Sequence, residues 1–135
     1  MTAKILYKGQ LRTESIHLSS GTTILSDAPV DNHGLGTTFS PTDLIVSSLA
    51  SCMLTIMGIK ADQKEWDLKD SYIEATKIMY DTPRRIGEIH LEIHIHCTTT
   101  LTSKDKKILE HAADTCPVLQ SIHPDIKVIR NYHFN

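Results

Sequence analysis

The chain has 135 residues, 40% hydrophobic and 22% charged, which is enough to bury a core of its own and argues against disorder. A net charge of −2 with scattered Lys and Arg provides no basic run for a nucleic-acid backbone and predicts no membrane partner. No charged segment followed by an apolar one opens the sequence, and the cysteine count is odd, so a cytoplasmic setting with transient disulfides is expected.

One domain over residues 1–135 is expected, with no internal repeat. Lys4 to Lys8, Leu11 to Leu18 and Thr22 to Leu25 read as three short strands of a meander, with turns near Gly9 and Gly21. From Asp27 to Phe39 the pattern breaks up around Pro29, Asn32, Gly34 and Gly36, which predicts a loop. Ser40 then offers an N-cap, Pro41 suits the first helical position, and Asp43 has capping-box spacing to Ser40. A long helix should follow, from Leu44 to about Gln63. Apolar residues occupy nearly every face of it, which predicts burial all round. It is too interrupted by Ser47, Ser48, Ser51, Thr55 and Gly58 for a bilayer span.

Leu68 to Tyr80 is rich in β-branched and aromatic residues and reads as a strand, closed by turn chemistry at Asp81-Thr82-Pro83-Arg84. The clearest periodic signal follows. Ile89, Leu91, Ile93 and Ile95 alternate with Glu88, His90, Glu92, His94 and His96, which is a strand with one wet face. Thr102 or Ser103 should cap a helix bearing Ile108, Leu109 and Ala112. Cys116-Pro117 restarts a short helix that Pro124 stops. Ile126, Val128 and Tyr132 lie on alternate positions of a last strand. Strands, long helix, strands, helix pair and strand make an α+β domain with helices on an antiparallel sheet.

The candidate chemistry is in the thiols. Cys52 lies inside the apolar helix, where burial makes a thiol inert, and would need a cation or donor and a route to solvent to react. Cys116 precedes Pro117 at a helix start, where free amides and the positive dipole end favour thiolate. Spacing does not establish whether the two sulfurs meet. Cys97 falls in phase with Ile95 and reads as core filling. The His90, His94 and His96 face has spacing that permits a metal, but Glu88 and Glu92 share it, as on a solvated surface. No metal site, catalytic triad or phosphate loop is signalled.

Two segments resemble the OsmC/Ohr family, the osmotically inducible and organic-hydroperoxide-resistance proteins. Ser40-Pro41-Thr42-Asp43-Leu44, running to Ala50-Ser51-Cys52-Met53, is similar to the family's Asn-Pro-Glu-Glu/Gln-Leu helix start leading to an Ala-Cys pair. Cys116-Pro117-Val118 is similar to its second Cys-Pro segment. The resemblance covers essentially the whole chain. It implies an OsmC-like fold, an intertwined homodimer with the long cysteine helix at its centre, and active sites built from both subunits. It further implies that Cys52 attacks an organic hydroperoxide and that Cys116 resolves the sulfenic acid as a Cys52–Cys116 disulfide. An external dithiol would reset the pair, with no cofactor, nucleic acid or membrane involved. The family's catalytic arginine would be Arg12, the only arginine in the first half of the chain. The sequence departs at Thr42, where the peroxidase branches carry the glutamate that holds this arginine, and Asp43 is expected to serve the helix terminus. The departure motivates an alternative, a dimeric small-molecule binding or redox-sensing protein that kept the scaffold without the peroxidase chemistry.

Overall fold

The computed structural model describes residues 1–135. The elements are β1 (Ala3–Gly9), β2 (Arg12–His17), β3 (Thr23–Asp27), α1 (Pro41–Asp62), β4 (Tyr72–Tyr80), β5 (Arg85–Ile95), α2 (Ser103–Asp114), α3 (Pro117–Ser121) and β6 (Lys127–Phe134). By internal contacts the chain divides into two compact units, Met1–Ile45 and Val46–Asn135.

The first unit is the antiparallel meander β1-β2-β3 and the loop after it. Gln10 and Leu11 form the two-residue connection between β1 and β2, both at positive φ (51° and 59°). That is the hairpin geometry whose twist matches the strands, and it places Arg12 as the first residue of β2. Arg12 lies opposite Asp27, the last residue of β3. The expected loop therefore starts one residue later than the sequence suggested. Gly34 lies so close to Ala28 that a Cβ there would overlap the Ala28 carbonyl, which folds the loop back on the end of β3. The buried side chains of this unit are Ser26, Asp27 and Ser40. Its larger apolar side chains, among them Ile5, Tyr7, Leu25 and Phe39, are exposed.

Ser40 and Asp43 form the expected reciprocal cap. The Asp43 amide donates to Ser40 Oγ at 3.1 Å and the Ser40 amide to Asp43 Oδ2 at 2.8 Å. Asp43 thus serves the start of α1, as its position suggested.

The second unit holds most of α1, the sheet β4-β5-β6, and α2 and α3. Val46, Leu49, Met53 and Met57 of α1 pack with Ile89, Leu91, Ile93 and Ile95 of β5 and Leu109 of α2. Each fully buried side chain of this size contributes roughly 1.5–3 kcal/mol, so the hydrophobic stabilisation is concentrated here. The alternation predicted in β5 is present along the strand. Thr102 caps α2 in a full capping box with Asp105.

Two expectations need correction. The last strand does not join an antiparallel sheet, because β6 pairs with β5 in parallel after the α2–α3 crossover, and the strands form two sheets. Nor is α1 buried all round. Ile45 and Ile59 are 42% and 51% exposed, and Ser51 and Thr55 lie between them on the same stripe at helical spacing. One face of the helix packs on its sheet, and the opposite face, with Ile45 and Ile59 separated by small hydroxyl residues, remains uncovered.

Candidate functional site: a thiol pair and an arginine–carboxylate cluster

Cys52 occupies the middle of α1, next to the fully buried Met53, and is itself only partly buried. Cys116 is the N-cap residue of α3, with Pro117 at the first helical position and an extended backbone (φ −54°, ψ 125°). The apolar packing of Ala112 and Ala113 at the end of α2 carries the chain inward at this point, and Cys116 has no exposed surface. The two residues, 64 positions apart in sequence, come close enough for the Cys52 side chain to bear on the titration of Cys116. All three cysteines are free thiols.

The electrostatics of Cys116 differ from the simple helix-terminus expectation. Backbone N–H groups of Leu119 and Val118 do reach its sulfur and favour the thiolate, as the helix start predicted. Burial acts in the opposite direction and dominates, and the hydrogen bond with Cys52 adds to it, so the Cys116 pKa is raised. Cys116 is therefore held toward its protonated form. The pair is asymmetric, with Cys52 partly exposed and Cys116 buried.

Arg12 lies in the first unit and is held by a carboxylate that the sequence reading did not identify. Its Nε donates to Asp27 Oδ1 at 2.7 Å and its Nη2 to Asp27 Oδ2 at 3.0 Å, a bidentate pair. Nη2 also reaches Thr37 Oγ1 at 2.8 Å. Thr37 supports Asp27 in turn through its hydroxyl and through its backbone N–H at 3.1 Å. The side chain of Asp27 is 1% exposed. Hydrogen bonds from Arg12 and Thr37 outweigh its desolvation and hold its pKa well below the usual carboxylate range. Arg12 is pushed up by the same partner. Strand register could have revealed the pair, because a hairpin that sets Ile16 opposite Thr23 also sets Arg12 opposite Asp27.

The histidine face of β5 is a network of ion pairs and stacked rings. His90 meets Glu88 and His133 meets Glu92, both at 2.7 Å. The rings of Tyr72, His94 and His133 stack in sequence across the three strands at 4.5 Å spacings. Tyr80 and His90 hold Glu88 below its ordinary pKa, and His133 and Asn131 do the same for Glu92. Cys97 is partly buried against the core.

The geometry can be set beside known proteins. The family model for OsmC-like proteins matches residues 34–130. A crystal structure from Psychrobacter arcticus, described as an osmotic stress induced and detoxification response protein, is 50% identical over 98% of this chain and 96% of its own, with a TM-score of 0.93. An OsmC-like protein of Vibrio cholerae, 15% identical, shares the fold over 97% of both chains with a TM-score of 0.82. So does an organic hydroperoxide resistance protein of Legionella pneumophila, 18% identical, over 96% of this chain and 93% of its own, with a TM-score of 0.72. No curated protein matches the sequence.

Proposed function

Because the chain belongs to the OsmC-like family, we propose that it is a thiol-dependent peroxidase of organic hydroperoxides, with Cys52 as the attacking sulfur and Cys116 as the resolving one. The observation that carries the reading is the neighbouring, unequally buried Cys52–Cys116 pair. A peroxide needs a sulfur it can reach, and Cys52 is the half-exposed member. A resolving thiol needs to be adjacent, and Cys116 is; it gives up its proton as it attacks.

The steps balance. The Cys52 thiolate attacks the terminal oxygen of ROOH and the O–O bond breaks. The alkoxide takes a proton and leaves as ROH, and Cys52 becomes a sulfenic acid. The Cys116 sulfur then attacks the Cys52 sulfur, its proton leaves with the sulfenic hydroxyl as water, and a disulfide forms. An external dithiol reduces that disulfide and departs as its own disulfide. The family resemblance would give Arg12 the role of supplying the positive charge that favours the attacking thiolate and the departing alkoxide. Asp27 and Thr37 would fix its orientation, in place of the glutamate that Thr42 replaces. A second copy would cover the exposed stripe of α1 and the apolar residues of the first unit as a homodimer.

The test is mass spectrometry of the reduced protein after one equivalent of cumene hydroperoxide, with free thiols alkylated. A Cys52–Cys116 disulfide is expected in the wild type, over-oxidation of Cys52 to sulfinic acid in Cys116→Ser, and no peroxide consumption in Cys52→Ser. Equal consumption by Cys52→Ser and wild type would overturn the reading. Thr42 favours one competitor, a binding or redox-sensing protein on the same scaffold. A Cys52 that resists both peroxide and alkylation at neutral pH would select the binding protein, and one that peroxide oxidises once but a dithiol does not turn over would select the sensor.

A further inference from the structure

Only Thr115 and Cys116 separate α2 from α3, so whatever holds Asp114, the last residue of α2, sets where the Cys116 sulfur stands. Two other elements hold it. Arg130 of β6 donates from Nη1 to Asp114 Oδ1 at 2.6 Å, and Gln120 of α3 donates from Nε2 to the Asp114 carbonyl oxygen at 2.9 Å. The remaining bonds of this corner are local. The Thr115 hydroxyl and amide both donate to the Ala112 carbonyl, the Cys116 amide donates to that of Ala113, and the Cys116 carbonyl accepts from the Gln120 amide. Of these bonds, the one from Arg130 ties the corner to the sheet.

Arg130 breaks the pattern of its strand. The phase of β6 that packs Val128, Tyr132 and Phe134 against the core also contains Arg130, in register with the fully buried Leu91. An apolar side chain is what burial favours at such a position. An ion pair as exposed as this one adds little to stability, so stability does not explain the arginine. Direction does, because a guanidinium bound to a carboxylate fixes the angle of its partner as well as the distance. The titration of Cys116 is governed by its burial, by Cys52 and by the Leu119 and Val118 amides, so Arg130 acts on it through position and not through charge.

Position matters to the proposed chemistry. A disulfide needs its sulfurs about 2 Å apart with a dihedral near about 90°. A displacement of about 1 Å can slow a well-placed reaction by about 10²-fold. While Cys116 is out of place, the Cys52 sulfenic acid can take an oxygen from a second ROOH, giving sulfinic acid and ROH, instead of condensing with Cys116 to a disulfide and water. From this geometry we infer that Arg130 is a positioning residue of the thiol pair: through Asp114 it holds the α2–α3 corner so that Cys116 reaches oxidised Cys52 ahead of a second peroxide. The inference rests on the pairing of Cys52 with Cys116 proposed above.

The experiment follows Cys52–Cys116 disulfide formation in the reduced full chain with two oxidants. One is diamide, which accepts two hydrogens from a thiol pair and transfers no oxygen, and the other is excess cumene hydroperoxide. Arg130→Ala is expected to close the disulfide roughly tenfold more slowly with diamide. With cumene hydroperoxide it should consume the first equivalent at the wild-type rate and raise the ratio of sulfinic acid to disulfide roughly tenfold. Asp114→Asn should match it, and keeps the test valid if Arg130→Ala misfolds. Arg130→Asp/Asp114→Arg, which restores the pair in reverse, should recover most of the loss. Lys127→Ala, which removes another ion pair from the same strand, should behave as wild type. Wild-type diamide rates and sulfinic ratios in Arg130→Ala and Asp114→Asn, no recovery in the reversed pair, or an equal effect of Lys127→Ala would each overturn the inference. If peroxide leaves wild-type Cys52 unoxidised, the peroxidase reading fails and the diamide rates alone decide the role of Arg130. Absence of the disulfide with both oxidants would overturn both.

Discussion

The two units of the chain are organised on opposite principles. Every buried hydrophobic side chain belongs to residues 46–135, whereas residues 1–45 bury only Ser26, Asp27 and Ser40, all polar, and expose Ile5, Tyr7, Leu25 and Phe39. The second unit is held by area removed from water. The first is held by directional bonds around one carboxylate, and its apolar surface faces outward. A unit of that kind is stabilised by what it is tied to and by what covers it, which is why its sequence alternates so poorly while β5 alternates so well.

The contrast is broken most directly by truncation on each side. Leu91→Ala, in the core of the second unit, is expected to cost about 2–5 kcal/mol in urea unfolding. Leu25→Ala, at a side chain 42% exposed, is expected to cost no more than about 0.5 kcal/mol at protein concentrations where the chain is monomeric. Its effect should appear instead as weaker self-association in sedimentation equilibrium. Equal unfolding costs at the two positions would show that both units share one core principle.

The polar centre of the first unit has a signature in pH. Asp27 has a folded pKa below its unfolded value of about 3.9, so its contribution is fully present above that value and is lost as pH falls through the folded pKa. Asp27→Asn removes the charge that Arg12 pairs with, and the variant should be less stable than wild type at pH 7. The gap between the two should narrow steadily in unfolding experiments carried below pH 4. A gap that stays constant down to strong acid would mean that hydrogen-bond geometry, and not charge, holds the cluster.

The helix caps offer a milder comparison, because each unit contributes one. Thr102→Ala removes an acceptor from the start of α2 and is expected to cost about 0.5–2 kcal/mol. Ser40→Ala removes the matching acceptor from α1, but at a side chain that is 2% exposed, so it is expected to cost more than Thr102→Ala. Thermal melts of the two variants side by side decide the order.

These particular elements also show what the sequence could convey. The Thr102 and Ser40 caps, the β5 alternation and the Cys116-Pro117 restart are local, fixed by spacings of two to four residues, and all were legible. The direction of β6 was not, because alternation records which face is buried and carries no sign of parallel or antiparallel pairing. The all-apolar reading of α1 described a helix with every face covered, while the chain by itself covers only one. The meeting of Cys52 with Cys116 came from resemblance and not from spacing, since a contact across 64 residues leaves no local trace. Asp27 was missed because it ends a short, poorly alternating strand and looks like the first residue of a loop. Only the hairpin register ties it to Arg12.

The smallest expected effect tests the opposite imbalance, a polar atom stranded in the apolar unit. Tyr132 lies on β6 in register with Ile93, its ring 6.0 Å from that of Phe134, and its buried hydroxyl has no hydrogen-bond partner. Burial raises its pKa to about 12. Since the unfolded value is about 10, the protonated phenol favours the folded state fully below pH 10, and that contribution is lost as pH rises toward the folded pKa. An unpaired buried hydroxyl costs about 1–3 kcal/mol, so Tyr132→Phe should be at least as stable as wild type at pH 8. The advantage of the variant should widen by pH 11, where only the wild type has a phenol to ionise at position 132, and urea midpoints at the two pH values measure it. A variant less stable at pH 8 would show that the hydroxyl does find a partner, and the second unit would then contain a polar centre of its own.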